Sequence, residues 1–116
     1  MASTTDGGPV PDGPLDTFPK LLLDHAARRG ACPAIRQKDY GIWQVWNWRE
    51  MAAEIRAMAC GLAARGFARG DRLAIIGENR PELYWAMCAA QSLGGVPVPM
   101  YQDSVAEEMA FIINNA

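Results

Sequence analysis

The chain has 116 residues, of which 50% are hydrophobic and 21% are charged, a composition typical of one globular domain and too short for two ordinary ones. Its 11 basic and 13 acidic residues give a formal net charge of −2, so the whole-chain charge favours neither nucleic acid nor an anionic membrane as a partner. Three cysteines without a CxxC pair and a single histidine favour neither a zinc site nor a disulfide framework, and they fit reduced thiols in a cytoplasmic protein.

The N-terminal segment 1–14 is rich in glycine and proline and has neither a basic region nor an apolar stretch. It therefore does not match a signal peptide and is predicted to be a disordered tail, with an ordered region from 15 to 116. No apolar run approaches the roughly 20 residues that span a bilayer. A soluble protein without a transmembrane segment is expected.

A first helix is predicted over DTFPKLLLDHAARRG. Asp16 or Thr17 is its expected N-cap, and Gly30 follows its last turn. The apolar stripe of this helix consists of Phe18, Leu22 and Ala26. His25 lies at the edge of the stripe without other ligand types nearby, so a surface or half-packed role is favoured over catalysis.

A β-hairpin is predicted next, from the runs PAIRQ and IWQVWNW. The corner at 38–41 between the two runs contains Gly41, which can adopt a positive φ. Alternation along the second run places Ile42, Gln44 and Trp46 on one side and Trp43, Val45 and Asn47 on the other. The tryptophans could form a stacking platform for a ligand, but core or interface packing is favoured for large aromatic residues on a small sheet.

A capping box opens the second predicted helix at 47–50. The side chains of Asn47 and Glu50 can each accept a hydrogen bond from an amide that the helix start leaves without a partner. The helix should end at Gly66. Its apolar stripe consists of Met51, Ile55, Met58 and Leu62.

A strand–helix–strand unit is predicted over the second half of the chain. Residues 73–76 form an unalternated apolar run, which is typical of a parallel strand covered on both faces. Asn79 is the expected cap of a nearly buried helix from about Arg80 to Leu93. The run VPVPM then contains two prolines, which predict an edge strand. Such a short βαβ connection makes its two strands parallel.

A second capping box, Ser104 to Glu107, predicts a last helix with Met109, Ile112 and Ile113 facing inward. The predicted fold class is α/β: a βαβ parallel-strand unit plus a β-hairpin with flanking helices. These helices have little sheet to cover, so apolar surface should be left over. We therefore expect an incomplete, N-terminal part of a larger enzyme domain.

The corner GENRPE at 77–82 follows a strand and opens a helix, a position that can bind anions. It has one glycine instead of the three in GxGxxG, its proline removes an amide, and Glu78 and Glu82 would repel phosphate. A capped turn is therefore favoured. Tyr101 follows the second strand and could approach a substrate, but packing is favoured there and Tyr101 is not among the predicted site residues.

The order of these segments resembles the N-terminal portion of the adenylate-forming (AMP-binding) superfamily, particularly the long-chain fatty acid acyl-CoA synthetases. The segments that carry the resemblance are the helix start at 47–50, GLAARGFARGDRLAI at 61–75, ENRPELYWAMCAAQSLGGVPVPMY at 78–101, and the helix that starts at 104–107 and ends in IINNA.

The resemblance implies a ligase that uses ATP and Mg²⁺ to activate a carboxylic acid, expected to be a long-chain fatty acid, as an acyl-adenylate and then transfers it to coenzyme A. The phosphate loop, the acidic ribose-binding motif and the C-terminal lysine of such enzymes have no counterpart in this sequence. No catalytic, cofactor-binding or metal residue is therefore predicted. The chain alone is expected to be inactive and to bind none of these cofactors.

The expected partners are the carboxylic acid in the intact enzyme, the remainder of the same domain and, through the exposed apolar surface, a second copy of the chain. The alternative is a stand-alone α/β binding or interaction module that recruits a partner strand or acyl ligand through its aromatic hairpin and open sheet edge. A small nucleotide-binding domain is disfavoured by the missing glycines.

Overall fold

The computed structural model describes residues 13–116, so nearly all of the predicted tail 1–14 lies outside the described residues. The chain divides into two compact units, with the boundary between Ala57 and Met58. The elements in chain order are α1 (Phe18–Arg28), β1 (Pro33–Asp39), β2 (Ile42–Asn47), α2 (Trp48–Ala64), β3 (Arg72–Ile76), α3 (Pro81–Ser92), β4 (Val96–Met100) and α4 (Ala106–Asn115). The predicted α/β class is confirmed.

Helix α1 of the first unit begins as predicted. Thr17 is the N-cap, and its hydroxyl oxygen accepts a hydrogen bond from the Lys20 amide at 3.3 Å. Leu22 and Ala26 of the predicted stripe are buried, but Phe18 is 68% exposed. Phe18 is the first helical residue, and only the later part of the predicted stripe is buried.

The loop after α1 fastens the start of α2. The amides of Trp48 and Arg49 donate to the carbonyl oxygens of Cys32 and Gly30, each at 3.1 Å, which satisfies two amides that a helix start leaves without partners. The ring of His25 lies 4.6 Å from that of Trp48, centroid to centroid. His25 is half-buried, so its predicted half-packed role is confirmed.

The predicted hairpin is confirmed. Strands β1 and β2 are antiparallel, and the last pair, Asp39 with Ile42, leaves a two-residue turn. Both turn residues have positive φ, 50° at Tyr40 and 79° at Gly41, as a type I′ turn requires. The sequence predicted this conformation for Gly41 and not for Tyr40, where a side chain makes it less favourable.

The capping box at the start of α2 is also confirmed. The Glu50 amide donates to Asn47 Oδ1 at 2.7 Å, and the Asn47 amide donates to Glu50 Oε1 at 2.9 Å. Ile55 of the predicted stripe is buried, and the other three members are half-buried.

Gly66 ends helix α2 as a Schellman motif. Its φ is 96°, its amide donates to Ala63, and the Phe67 amide donates to Leu62, each at 3.0 Å. This is the pattern expected when the residue after the C-cap adopts the left-handed conformation.

The second unit contains the predicted βαβ unit: β3 and β4 are parallel, from Arg72 with Val96 to Ile76 with Met100. Helix α3 packs against both strands. The prediction that β3 is covered on both faces is wrong for the described residues, because Leu73 and Ile75 are half-buried whereas Ala74 and Ile76 are exposed. The continuous apolar run gives β3 two apolar faces, but among the described residues only the face with Leu73 and Ile75 is partly covered.

Strand β4 is an edge strand, as its prolines predicted, and among residues 13–116 it pairs only with β3. The Val96 amide donates to the Asp71 carbonyl oxygen at 2.8 Å. Because backbone groups alternate sides along a strand, the amides of Val98 and Met100 also face β3. The two positions that face outward are Pro97 and Pro99, which have no amide hydrogen.

Helix α3 is one residue shorter at each end than predicted, and its N-cap is Arg80 rather than Asn79. The Asn79 side chain does not cap the helix but accepts a hydrogen bond from the Tyr84 hydroxyl at 2.6 Å. The prediction that this helix is nearly buried is only partly correct. Four of its residues are buried and five are half-buried, whereas Glu82, Tyr84 and Ser92 are exposed.

Helix α4 lacks the predicted capping box. Its N-cap is Val105, without a side-chain hydrogen bond, and Ser104 lies one residue too early to cap. Met109 and Ile112 are half-buried as expected of inward residues, but Ile113 is exposed and no residue of the helix is buried.

Candidate functional site

An open cleft of about 420 Å³ lies at the carboxyl ends of β3 and β4. Parallel strands end at the same edge of a sheet, so the corner after β3 and the segment after β4 meet there. The walls are formed by residues 77–79 and Leu83 on the β3 side and by residues 99–103 on the β4 side. This edge is where open α/β sheets bind ligands.

The corner at 77–82 is closed by its own hydrogen bonds. The Arg80 amide donates to the Glu78 carbonyl oxygen at 2.9 Å, and the Leu83 amide donates to the Arg80 carbonyl oxygen at 3.0 Å. The guanidinium of Arg80 forms an ion pair with the Glu78 carboxylate at 2.5 Å. This geometry favours the turn interpretation over an anion site, because the Arg80 amide and guanidinium are already engaged and the Glu78 carboxylate lies at the corner.

The Asn79 side chain lines the cleft and is held in place by a hydrogen bond from a neighbouring side chain. Its carbonyl oxygen accepts the short hydrogen bond from the Tyr84 hydroxyl, which holds the side-chain amide beside the first turn of α3. The sequence did not predict this hydrogen bond. The two residues are five positions apart and lie on either side of the helix start, whereas side-chain pairs within a helix are expected at spacings of three or four. An amide held in this way can donate a hydrogen bond to a neutral or anionic ligand group.

Tyr101 lies directly after β4 and is 84% exposed, so the packing role favoured from the sequence is wrong for the described residues. Its side chain lines the cleft and also an adjoining, shallower groove beside Glu107 and Phe111 of α4. A phenol in this position offers a ring face for stacking and a hydroxyl for hydrogen bonding. The polar groups of the cleft are therefore the neutral side chains of Asn79, Tyr101 and Gln102 together with the carboxylates of Glu78 and Asp103.

The other chemically reactive side chains form no further site. No group of three potential metal ligands occurs within residues 13–116. None of the cysteines is in a disulfide, and Cys32 and Cys60 are exposed. Burial raises the pKa of the Cys88 thiol, opposed by a weaker effect of Ser92, so this thiol is a poor nucleophile at neutral pH. None of the helices described is long and apolar enough to cross a bilayer.

Comparison with known proteins gives consistent matches. The sequence profile of AMP-binding enzymes matches residues 22–116. The chain is 36% identical over 73 residues to the uncharacterized protein Rv1549 of Mycobacterium tuberculosis, covering 63% of this chain and 42% of that protein. It is 36% identical over 78 residues to the long-chain-fatty-acid–CoA ligase FadD15 of Mycobacterium bovis, covering 66% of this chain and 13% of the ligase.

A solved structure agrees with these sequence matches. The N-terminal subdomain of NpsA from Klebsiella oxytoca superposes with a TM-score of 0.76 at 26% identity, over 84% of this chain and 24% of that one. The chain therefore spans less than half the length of each of these relatives. Since the profile match includes nearly all of the described residues, the chain belongs to the AMP-binding enzyme family and corresponds to its N-terminal portion.

Proposed function

We propose that this chain contributes the N-terminal part of a cytoplasmic, ATP-dependent ligase that activates a carboxylic acid as an acyl-adenylate and transfers it to coenzyme A. The observation that carries the proposal is the family match over residues 22–116. A long-chain fatty acid is the proposed substrate class, because FadD15 is a long-chain-fatty-acid–CoA ligase and matches over 66% of this chain.

The second unit supports a contributory role. Strands β3 and β4 pair only with each other among the described residues, and Ile76 on the bare face of β3 is 50% exposed. A two-stranded parallel pair is a small part of the sheets in which parallel strands normally occur, where both faces are covered. In the intact enzyme we expect further strands and helices on these surfaces, and a substrate near the cleft at the strand ends.

The cofactors that the family implies do not fit the described residues. A triphosphate needs several donated amides and cations, whereas the corner at 77–82 has one glycine, a proline and the carboxylates of Glu78 and Glu82. Three metal-binding side chains do not come together anywhere in residues 13–116. We therefore assign ATP, Mg²⁺ and coenzyme A to other parts of the intact enzyme and derive no catalytic step for this chain.

A chimeric enzyme tests the proposal. The matching segment of FadD15 is replaced by the corresponding segment of this chain, and acid-dependent ATP–pyrophosphate exchange is measured with fatty acids. We expect the chimera to retain exchange. A matched chimera with Ile75→Asp on the half-buried side of β3 should lose exchange together with its cooperative unfolding. A chimera that folds cooperatively but has no exchange would contradict the proposed role.

The isolated chain provides the second test. We expect no ATP–pyrophosphate exchange from it with any fatty acid, and sustained turnover would contradict a contributory role. The alternative of a stand-alone module rests on the exposed aromatic hairpin. It is favoured if the isolated chain is a monomer that unfolds cooperatively and does not bind a hydrophobic dye, whereas dye binding or self-association favours the proposed part of a larger domain.

A further inference from the structure

The hairpin of the first unit has one face that combines cations with exposed apolar side chains. In the register, Arg36 lies opposite Val45 and Lys38 lies opposite Trp43. Because alternate residues of a strand share a face, these four side chains form one surface, which we term the basic hairpin face. The neighbouring carboxylate, Asp39, pairs with Ile42 and points to the opposite side.

The cations of this face lie close to the tryptophan. The guanidinium carbon of Arg36 is 5.1 Å from the centre of the Trp43 ring, and the Lys38 ammonium is 5.9 Å from it. Both distances fall within the range of cation–π interactions. The two charges are thereby held beside an indole ring that is itself 56% exposed.

Exposure of apolar side chains increases toward the tip of the hairpin. Trp46, near its base, is half-buried, whereas Ile42 is 68% and Tyr40 is 98% exposed at the turn. The positive φ angles of Tyr40 and Gly41 make this turn narrow. Ile42 lies beside the Asp39 carboxylate on the opposite face, so the hairpin is a wedge whose tip is apolar at Tyr40 and on the side of the basic hairpin face, with the cations behind it.

We propose that the tip and the basic hairpin face dock on a membrane that contains anionic phospholipids. Tyrosine and tryptophan are suited to the boundary between lipid headgroups and acyl chains, and the cations beside Trp43 would lie at the level of the phosphates. The net charge of −2 is a sum over the whole chain, so it does not reveal the local positive charge of Arg36 and Lys38. The proposal goes beyond ligase activity and does not depend on it.

A lipid surface fits this wedge better than the other candidates. Nucleic acid supplies phosphates but no apolar layer in which aliphatic groups such as the exposed Val45 side chain could be buried, whereas an anionic bilayer supplies both. A protein partner would need a groove that accepts a narrow convex tip, whereas a bilayer accepts it without a preformed shape. The absence of a carboxylate on the basic hairpin face also matches a uniformly anionic surface.

Co-sedimentation of the chain with vesicles tests the proposal. We expect binding to phosphatidylcholine vesicles that contain about 30% phosphatidylserine, and much weaker binding to pure phosphatidylcholine. Binding should fall when the salt concentration is raised from about 0.05 to 0.5 M, because screening weakens attraction between exposed charges. Absence of binding, or equal binding to both kinds of vesicle, overturns the proposal.

Substitutions test which surface is responsible. Arg36→Gln with Lys38→Gln is expected to weaken binding to phosphatidylserine vesicles about 30-fold, which is roughly fivefold for each cation. Trp43→Ser should weaken it about tenfold by removing apolar area. Trp43→Phe should restore most of the binding. These side chains are exposed, so far-UV circular dichroism should be unchanged.

Matched controls carry the same changes elsewhere. Arg56→Gln with Arg65→Gln removes two exposed cations, and Phe111→Ser removes an aromatic side chain that is 70% exposed. Both controls should bind as the original chain does. Equal losses in the controls would show non-specific adsorption and overturn the proposal. A dimer seen by sedimentation velocity without lipid, and lost in Trp43→Ser, would assign the face to protein association and also overturn it.

Discussion

Among the glycines of the second unit, Gly95 has the least room for a side chain, so Gly95→Ala should be destabilising. A Cβ at this position would lie 2.5 Å from two ring carbons of Phe67 and 2.8 Å from the Asp71 carbonyl oxygen. The ring could shift, but the carbonyl oxygen accepts the Val96 amide at the start of the sheet and cannot move without breaking that bond. We expect a loss of about 1–3 kcal/mol in the free energy of unfolding, the usual cost of overpacking.

Urea unfolding followed by tryptophan fluorescence measures this change, which should appear as a lower midpoint with an unchanged slope. Gly61→Ala is the matched control, because no atom lies within 4 Å of a Cβ there. Since Gly61 is inside α2, that change should stabilise the chain by about 0.5–1 kcal/mol. The steric argument also predicts non-additivity, with Gly95→Ala costing less in a Phe67→Ala background. A Gly95→Ala chain as stable as the original, or additive effects, would refute the reasoning.

Three further predictions follow from local geometry. Asn47→Ala should lower the urea midpoint by an amount equivalent to about 1 kcal/mol, because the capping box loses its acceptor; an unchanged midpoint would contradict this. Gly66→Ala should cost about 1 kcal/mol in the same assay, because φ is 96° there, and stabilisation would be the contrary result. With Ellman's reagent, Cys32 and Cys60 should react quickly and Cys88 slowly. Equal reaction rates for all three thiols would contradict the burial of Cys88. Because burial raises the pKa of the folded Cys88 thiol, the stability contributed by this group is present below the unfolded pKa and decreases as the pH rises above the unfolded pKa.

The elements that follow from local rules could be predicted from the sequence. The capping box at Asn47 and the glycine turn at Gly41 depend on residues within a few positions, so a single sequence contains the necessary information. The parallel pairing of β3 and β4 is also local in this sense, because a short helical crossover permits little else. The family resemblance added the identity of the larger fold, which no individual segment specifies.

The errors concern interactions that local rules do not contain. Asn79 and Ser104 both match the composition of a helix cap, but the Asn79 side chain accepts the Tyr84 hydroxyl and Ser104 lies one residue before the helix's actual cap. Coverage of β3 was overestimated because an apolar sequence reveals which faces can be buried, not which neighbours bury them. The cleft depends on the same long-range placement, so only its position at the strand ends could be expected.

The outer edges of β3 and β4 and the tip of the hairpin differ in the kind of partner that each can bind. On β4 the outward positions Pro97 and Pro99 lack amide hydrogens, so that edge cannot donate to another strand. On β3 the backbone groups of Arg72, Ala74 and Ile76 face outward and include both donors and acceptors, so this edge can form a complete hydrogen-bond ladder with a further strand. The hairpin strands also have unpaired outer edges among the described residues, but one face of the hairpin additionally presents cations beside its apolar groups. Extension of the sheet beyond β3 therefore requires another strand, whereas the hairpin tip is suited to an anionic surface.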